Sequence, residues 1–386
     1  MKAIVVSQWL QSHSELAVST SFPELPGLAP GKPLGETEVL VRVAAIGLNF
    51  FDALVVTGKH QTKPKRPFIP GAEFAGVVVA VGPKVQGFQP GDRVFGNGKT
   101  GCYAEYVLSG VEHIHKVPTG MSLRDAAGIF LTYPTSYAAL VFRANLQPGE
   151  VCLVHAGAGG VGLAAIQIAK YLGATVIATA GSDDKLEICR SNGADHVINY
   201  KTNANWSQTV RDLTRAIPGR KHEGADVIYD PVGLVNDSTK CVAWNGRILV
   251  IGFAGGNIES VPTNRLLLKG ASVMGVYWGA YAVHQPHKMV EAWKMMPAAK
   301  RGGSPGSYSV MNEGITMPVL SIPRTAQDLS VMFSLASAYT GQPLRPVTFP
   351  KVYKGLSSVT EGLSDLLARK TYGKVVVDLD DIQSKL

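Results

Sequence analysis

Val154-His155-Ala156-Gly157-Ala158-Gly159-Gly160-Val161-Gly162 decides how the rest of the chain is read. It follows an apolar strand candidate, Val151–His155. It opens a segment in which Val161, Ala164, Ala165, Ile168 and Leu172 recur at helical spacing before a terminating Gly173. Gly157, Gly159 and Gly162 fit G-x-G-x-x-G, a pattern with little meaning except where a strand feeds a helix, as here. One glycine is expected to make the tight turn. Another lets backbone approach a pyrophosphate, and a third lets helix pack on strand. The helix N-terminus would then present free N–H groups and positive partial charge to phosphates.

Further strand candidates follow at Thr175–Thr179, His196–Ile198, Ala225–Tyr229, Arg247–Ile251 and Ser272–Tyr277, separated by helical stretches. Strands alternating with crossovers predict a parallel, doubly wound α/β sheet over residues 135–277. The second strand ends Thr179-Ala180-Gly181-Ser182, with no acid to hold ribose hydroxyls, and Lys185 follows. Lys185 would pair with a 2′-phosphate, which predicts NADPH over NADH. Asp183 and Asp184 are read as acids complementing the start of a helix.

Residues 1–134 have another texture. Val39–Ala45, Phe74–Val81, Arg93–Phe95 and Ala104–Val107 are short apolar runs separated by Pro70-Gly71, Gly82-Pro83 and Pro90-Gly91. Such spacing predicts a compact β-rich domain. Residues 278–386 form a mixed return segment. It contains a Pro-, Gly- and Ser-rich insertion at about 297–328, then helices at Leu329–Tyr339 and Val359–Ala368 and a strand at Lys374–Leu379.

Composition narrows the function classes. Of 386 residues 46% are hydrophobic and 17% charged, which suits packed cores rather than disorder. The net charge of +8 lacks the interleaved aromatics of a nucleic-acid surface, so no nucleic-acid partner is expected. Basic residues do gather at Lys59, His60, Lys63, Lys65 and Arg66. No apolar run reaches the ~20 residues of a membrane span. Cys102, Cys152, Cys189 and Cys241 are too scattered for a zinc ribbon, and no metal site is expected. The chain stops at Ser384-Lys385-Leu386, a peroxisomal address read by an import receptor; the alternative location is cytoplasmic.

Several motifs together carry a family likeness. They are Asn49-Phe50-Phe51-Asp52, Pro70-Gly71-Ala72-Glu73-Phe74-Ala75-Gly76, Gly91-Asp92-Arg93-Val94, Leu131-Thr132-Tyr133-Pro134-Thr135-Ser136-Tyr137, Asn199-Tyr200, Gly252-Phe253 and Asn264-Arg265-Leu266-Leu267-Leu268-Lys269-Gly270. With the glycine loop they resemble the zinc-independent quinone oxidoreductase (zeta-crystallin-like) branch of the medium-chain dehydrogenase/reductases. The resemblance implies a GroES-like catalytic domain at 1–134, a Rossmann NADPH-binding domain at 135–277, and completion of the first by 278–386. Where zinc-dependent relatives carry ligating Cys and His, this chain has Asn49 and Ala72.

By the same resemblance, Gly160 and Val161 would present backbone to the pyrophosphate, and Ser182, Lys185 and Tyr200 would surround the 2′-phosphate and adenosine. Thr135, Gly252 and Phe253 would line the nicotinamide. Asn49 would face substrate, with Tyr133 behind it. The branch often has Gly-x-Tyr soon after its Asn-x-x-Asp. Here Gly58-Lys59-His60 stands instead, making His60 a candidate donor or proton source. The expected activity is NADPH-dependent hydride transfer to a quinone or other conjugated carbonyl, in a homodimer. One alternative is an enoyl-CoA or enone reductase in peroxisomal lipid metabolism, with the 59–66 stretch attracting CoA phosphates. Another is an NADPH-binding structural or RNA-associated protein without turnover.

Overall fold

A computed structural model of the chain describes residues 1–295 and 344–379, apart from 21, 23, 24 and 30. The insertion at 297–328, the helix expected at Leu329–Tyr339 and Ser384-Lys385-Leu386 lie outside the described residues.

The six expected strands form one parallel sheet. In spatial order they are His196–Asn199, Thr175–Ala180, Val151–Val154, Ala225–Asp230, Val242–Val250 and Ser272–Gly275. This is the doubly wound Rossmann order, with the switch point beside the first strand. Val151–Val154 is buried at every position because helices cover both faces, so its sequence is uniformly apolar. One covering helix is Gly160–Tyr171, ended by Gly173 at φ +81°. The fifth strand starts five residues earlier than its apolar run suggests. Its extra length, from Val242, pairs with Ala225.

The other large sheet, the first of the two in chain order, has seven mainly antiparallel strands. Glu38–Gly47 is its spine. Phe74–Val81 pairs along one edge. The other edge is shared: Tyr106–Gly110 takes Glu38–Arg42, and Val376–Asp378 takes Ala45–Gly47. The chain therefore returns from the far side of the parallel sheet to complete the first one. The strand expected at Ala104–Val107 begins two residues later, because Ala104 bridges instead to Ala3. Val359–Leu367 is helical, as its pattern predicts. Among the described residues no helix is long and apolar enough to cross a membrane.

The glycine loop folds differently from its simplest reading. Its left-handed residue is Ala156, at φ +47°, and none of Gly157, Gly159, Gly160 and Gly162 has positive φ. The glycines serve close approach instead. A Cβ on Gly162 would lie 2.4 Å from the Ala156 carbonyl oxygen, and one on Gly157 would lie 2.9 Å from Ala178 Cβ. Gly162→Ala should therefore lower stability by about 1–3 kcal/mol through overpacking. Ala156→Gly should leave it unchanged or raise it by up to ~1 kcal/mol by relieving the left-handed alanine. Urea unfolding of the two variants checks this; equal effects would contradict the packing account.

Candidate functional site

The candidate site lies where the C-terminal ends of the parallel strands meet the first sheet. The fit of a dinucleotide is tested by the glycine loop itself. A Cβ built on Gly159 meets only the Ala156 carbonyl oxygen, at 3.3 Å, so space above this turn is open. Gly160 begins the helix and Val161 follows it, so their N–H groups belong to its unpaired first turn. Residues that must be small for packing, Gly157 and Gly162, thus flank residues whose backbone is approachable.

Ser182, Lys185 and Tyr200 come together at the end of the second strand. Ser182 stands at the N-cap position of the helix Asp183–Ser191, its hydroxyl bonded to the Asp184 carboxylate. The Tyr200 hydroxyl lies over Gly181, where a Cβ would sit 2.6 Å from it. Lys185 Nζ donates to the Arg369 carbonyl at 2.7 Å, and burial lowers the lysine pKa. Two cations that the sequence reading missed join the cluster. Lys201 follows Tyr200, and its Cε would be 3.2 Å from a Cβ on Gly181. Arg369, near enough to act electrostatically on Lys185, arrives from 184 residues away in sequence. The neighbouring acids are occupied: Asp183 accepts from Asn199 Nδ2 at 3.0 Å. A hydrogen bond from Ser182 pulls the Asp184 pKa down.

Gly252 and Phe253 follow the fifth strand, and Phe253 is 38% exposed beside Gly233. Asp230, also missed, shapes this wall. Its carboxylate accepts the backbone N–H groups of Val232, Gly233 and Leu234 at 2.6–2.9 Å. Thr135 is half-buried on the helix Thr132–Tyr137. Tyr133 is a correction. Its hydroxyl is buried and bonded to Gln167 and to the Arg345 carbonyl, both at 2.9 Å, so it braces two segments and does not reach toward a substrate.

Asn49 caps the helix Phe50–Val56 and is held on every side. Its Nδ2 donates to Glu73 Oε1 at 3.1 Å and Gly47 O at 3.4 Å, while its Oδ1 accepts from Lys374 Nζ at 2.5 Å. Lys374 and Glu73 form an ion pair in which both side chains are buried. Glu73 also accepts from the Leu131 N–H at 3.1 Å, just before the helix carrying Thr135. His60 packs its ring against Phe51, 5.5 Å between centroids. Its Nδ1 accepts from Thr62 N at 3.1 Å, which leaves Nε2 as the protonated nitrogen of the neutral ring. Burial lowers its pKa, favouring that neutral form.

The parallel sheet, with its glycine loop leading from the first strand into a helix, has the build of a dinucleotide-binding α/β domain. Residues 35–133 match the model of an alcohol dehydrogenase GroES-like domain, and residues 160–297 that of a zinc-binding dehydrogenase. Quinone oxidoreductase-like protein 2 of Rattus norvegicus is 42% identical over 275 residues, covering 70% of this chain and 76% of that protein. The quinone oxidoreductase of Escherichia coli, solved with NADPH, superimposes with a TM-score of 0.74 at 25% identity, over 98% of this chain and all of that one. That of Thermus thermophilus, also solved with NADPH, gives 0.69 at 27% identity over 98% of this chain and all of that one. The chain belongs to the quinone oxidoreductase branch of the medium-chain dehydrogenase/reductases and is an oxidoreductase.

Asp52 stabilises the Asn49 end of the site at a cost. It accepts from the Tyr103 hydroxyl at 2.7 Å and from Asn49 N–H at 2.8 Å. Burial nevertheless raises its pKa from 3.8 to about 6. A carboxyl with a folded value above its unfolded one favours the fold when protonated. That advantage is lost as pH rises from about 4 to about 6, and a rise of this size corresponds to about 3 kcal/mol. The stability of wild type relative to Asp52→Asn should therefore fall by about 2 kcal/mol between pH 4 and pH 7, the rest being lost below pH 4. Urea unfolding across that range checks this, and a flat difference would refute it.

Proposed function

We propose that the chain is an NADPH-dependent reductase that passes hydride to a quinone or other conjugated carbonyl without zinc. The carrying observation is the cationic cluster of Lys185, Lys201 and Arg369 beside Ser182 and Tyr200, with Asp183 and Asp184 tied to other partners. A 2′-phosphate fits that cluster, whereas a bare ribose would leave its cations unpaired. The cofactor, once bound, supplies the hydride; the protein orients it and excludes water. Gly160 and Val161 would meet the pyrophosphate, and Gly252, Phe253 and Thr135 the nicotinamide side. His60 Nε2–H is the neutral donor available to the carbonyl oxygen as charge develops there. Zinc independence is supported by chemistry at the two positions where ligands would stand. Ala72 has no ligating atom, and the Asn49 amide is committed to Lys374, Glu73 and Gly47.

A second reading, reduction of an enoyl thioester, has its own support. A cavity of about 670 Å³ is lined by Ser7, Trp9, Lys63, Pro64, Lys65 and Arg66. Arg66 lies over Trp9, 4.7 Å from the ring centroid. Thr62, next to this basic stretch, meets the Tyr277 hydroxyl of the other domain at 3.3 Å. A phosphate-bearing carrier fits it. We further propose a homodimer formed on Ser272–Gly275, the last strand of the parallel sheet among the described residues, where Val273 is exposed, as are Leu267 and Leu268 on the preceding helix. A single-chain mass by light scattering would sink that proposal.

Lys185→Glu should weaken NADPH binding at least ~10-fold more than NADH binding, one ion pair to a phosphate being lost and a repulsion gained; equal losses would count against NADPH. Chelator-treated enzyme should keep its full rate of NADPH oxidation with quinones. His60→Phe should lower turnover of enoyl thioesters more than turnover of quinones, because a quinone's reduced anion is stable by delocalisation and depends less on a hydrogen-bond donor. Silence with every acceptor, despite NADPH binding, would favour a role without turnover.

A further inference from the structure

Gly373 and Lys374, adjacent in sequence, hold opposite halves of the cleft. The Gly373 N–H donates to the Ala158 carbonyl of the glycine loop at 2.7 Å, and Gly373 forms a β-bridge with Gly159. The Lys374 side chain starts beside the same loop, its Cδ 3.8 Å from where a Cβ on Gly160 would lie, and then leaves it. It crosses Gly128, where a Cβ would lie 2.5 Å from its Cγ, and ends on Glu73 and Asn49 Oδ1. Glu73 is accommodated in turn by Gly47, where a Cβ would lie 2.8 Å from the glutamate Cγ. Its second oxygen holds Leu131 N–H at the head of the helix bearing Thr135. The pair thus orients the Asn49 amide and the Thr135 helix on the substrate side. Its own backbone neighbour is clamped to the cofactor side.

We propose that Lys374, acting through Glu73 and Asn49, is a positioning residue that couples occupancy of the glycine loop to the geometry of the substrate face. This deepens the reductase reading and rests on it. When the glycine loop settles on a dinucleotide, residue 373 is fixed with it. Lys374 then sets the one orientation of Asn49 in which Oδ1 accepts and Nδ2 donates to Glu73. An ion pair used only for folding would show no such dependence on the dinucleotide. A lysine that simply bound phosphate would act on affinity alone.

Three variants separate these roles. Lys374→Met removes the cation, Glu73→Gln/Lys374→Met removes both charges so that no lone charge is buried, and Lys374→Arg keeps the cation. Hydrogen exchange of the 47–57 segment is measured with and without NADPH, alongside the NADPH Kd and quinone kcat. In wild type, NADPH should slow exchange at 47–57. In Lys374→Met and the double variant that response should vanish while the Kd changes less than about 3-fold, and kcat should fall at least ~10-fold, as expected when catalytic geometry loosens. Lys374→Arg should restore both. If Lys374→Met does not fold, the double variant carries the same readouts. Persistence of the NADPH response at 47–57 without the lysine would overturn the proposal. So would a loss confined to Kd. A wild type that shows the exchange response but reduces no acceptor would defeat the reductase reading and leave the coupling standing.

Discussion

The Lys374–Glu73 ion pair is the constraint around which the two halves of the molecule are arranged. Its side chains are 7% and 0% exposed. Withdrawing two such charges from water costs several kcal/mol for each ion, and their mutual attraction offsets this only when further hydrogen bonds surround them. Asn49 Oδ1 and Leu131 N–H supply those bonds. An apolar pair of similar volume would give comparable stability, so stability alone does not account for the charges. What they confer is a defined arrangement. Each charge has directional partners, and those partners belong to the spine strand's end, to the approach of the Thr132–Tyr137 helix and to the returning strand.

That arrangement also explains why the chain must return to its first sheet. Val376–Asp378 fills the edge of Glu38–Gly47 that Tyr106–Gly110 leaves free, and this places residues 373 and 374 at the junction. Arg369 enters the cofactor side of the same passage, with its carbonyl on Lys185 and its guanidinium on the Ala254 carbonyl at 3.2 Å. One short segment between the Val359–Leu367 helix and the last strand thus reaches Lys185, the glycine loop and Asn49.

The parallel sheet was readable from the sequence because burial on both faces leaves continuous apolar runs, and the glycine loop marked which run came first. The start of the fifth strand was not, since Trp244 and Asn245 are exposed in Val242–Val250 and break the run. Local motifs named Ser182, Lys185 and Tyr200 together, and the structure sets all three near one strand end. Lys374 and Arg369 carried no local signal, because their meaning comes from partners more than a hundred residues away. Lys201 could have been suspected from its place beside Tyr200. Tyr133 shows the opposite failure: its motif placed the residue near the site, but only packing decides where a hydroxyl turns. Ala156 shows a third. A glycine-rich turn suggests that a glycine takes the left-handed position, yet here close packing claims the glycines first and the alanine is left with φ +47°.

The acid–base character of the cleft bears on the acceptor. Asp52 has a pKa near 6, but its carboxylate is fully buried between Tyr103 and Asn49 N–H and faces no open space. Tyr133 is spent on Gln167 and Arg345. His60, for which we propose the donor role, carries its proton on Nε2, and burial disfavours its cationic form. A neutral imidazole stabilises a developing oxyanion by hydrogen bonding yet is a poor source of a full proton. Such a site suits an acceptor whose reduced anion is stable by delocalisation and collects its proton from water later. An enoyl thioester asks for protonation at carbon within the site, so for that substrate the carrier cavity at Lys63, Lys65 and Arg66 would have to supply the selectivity that the acid chemistry does not.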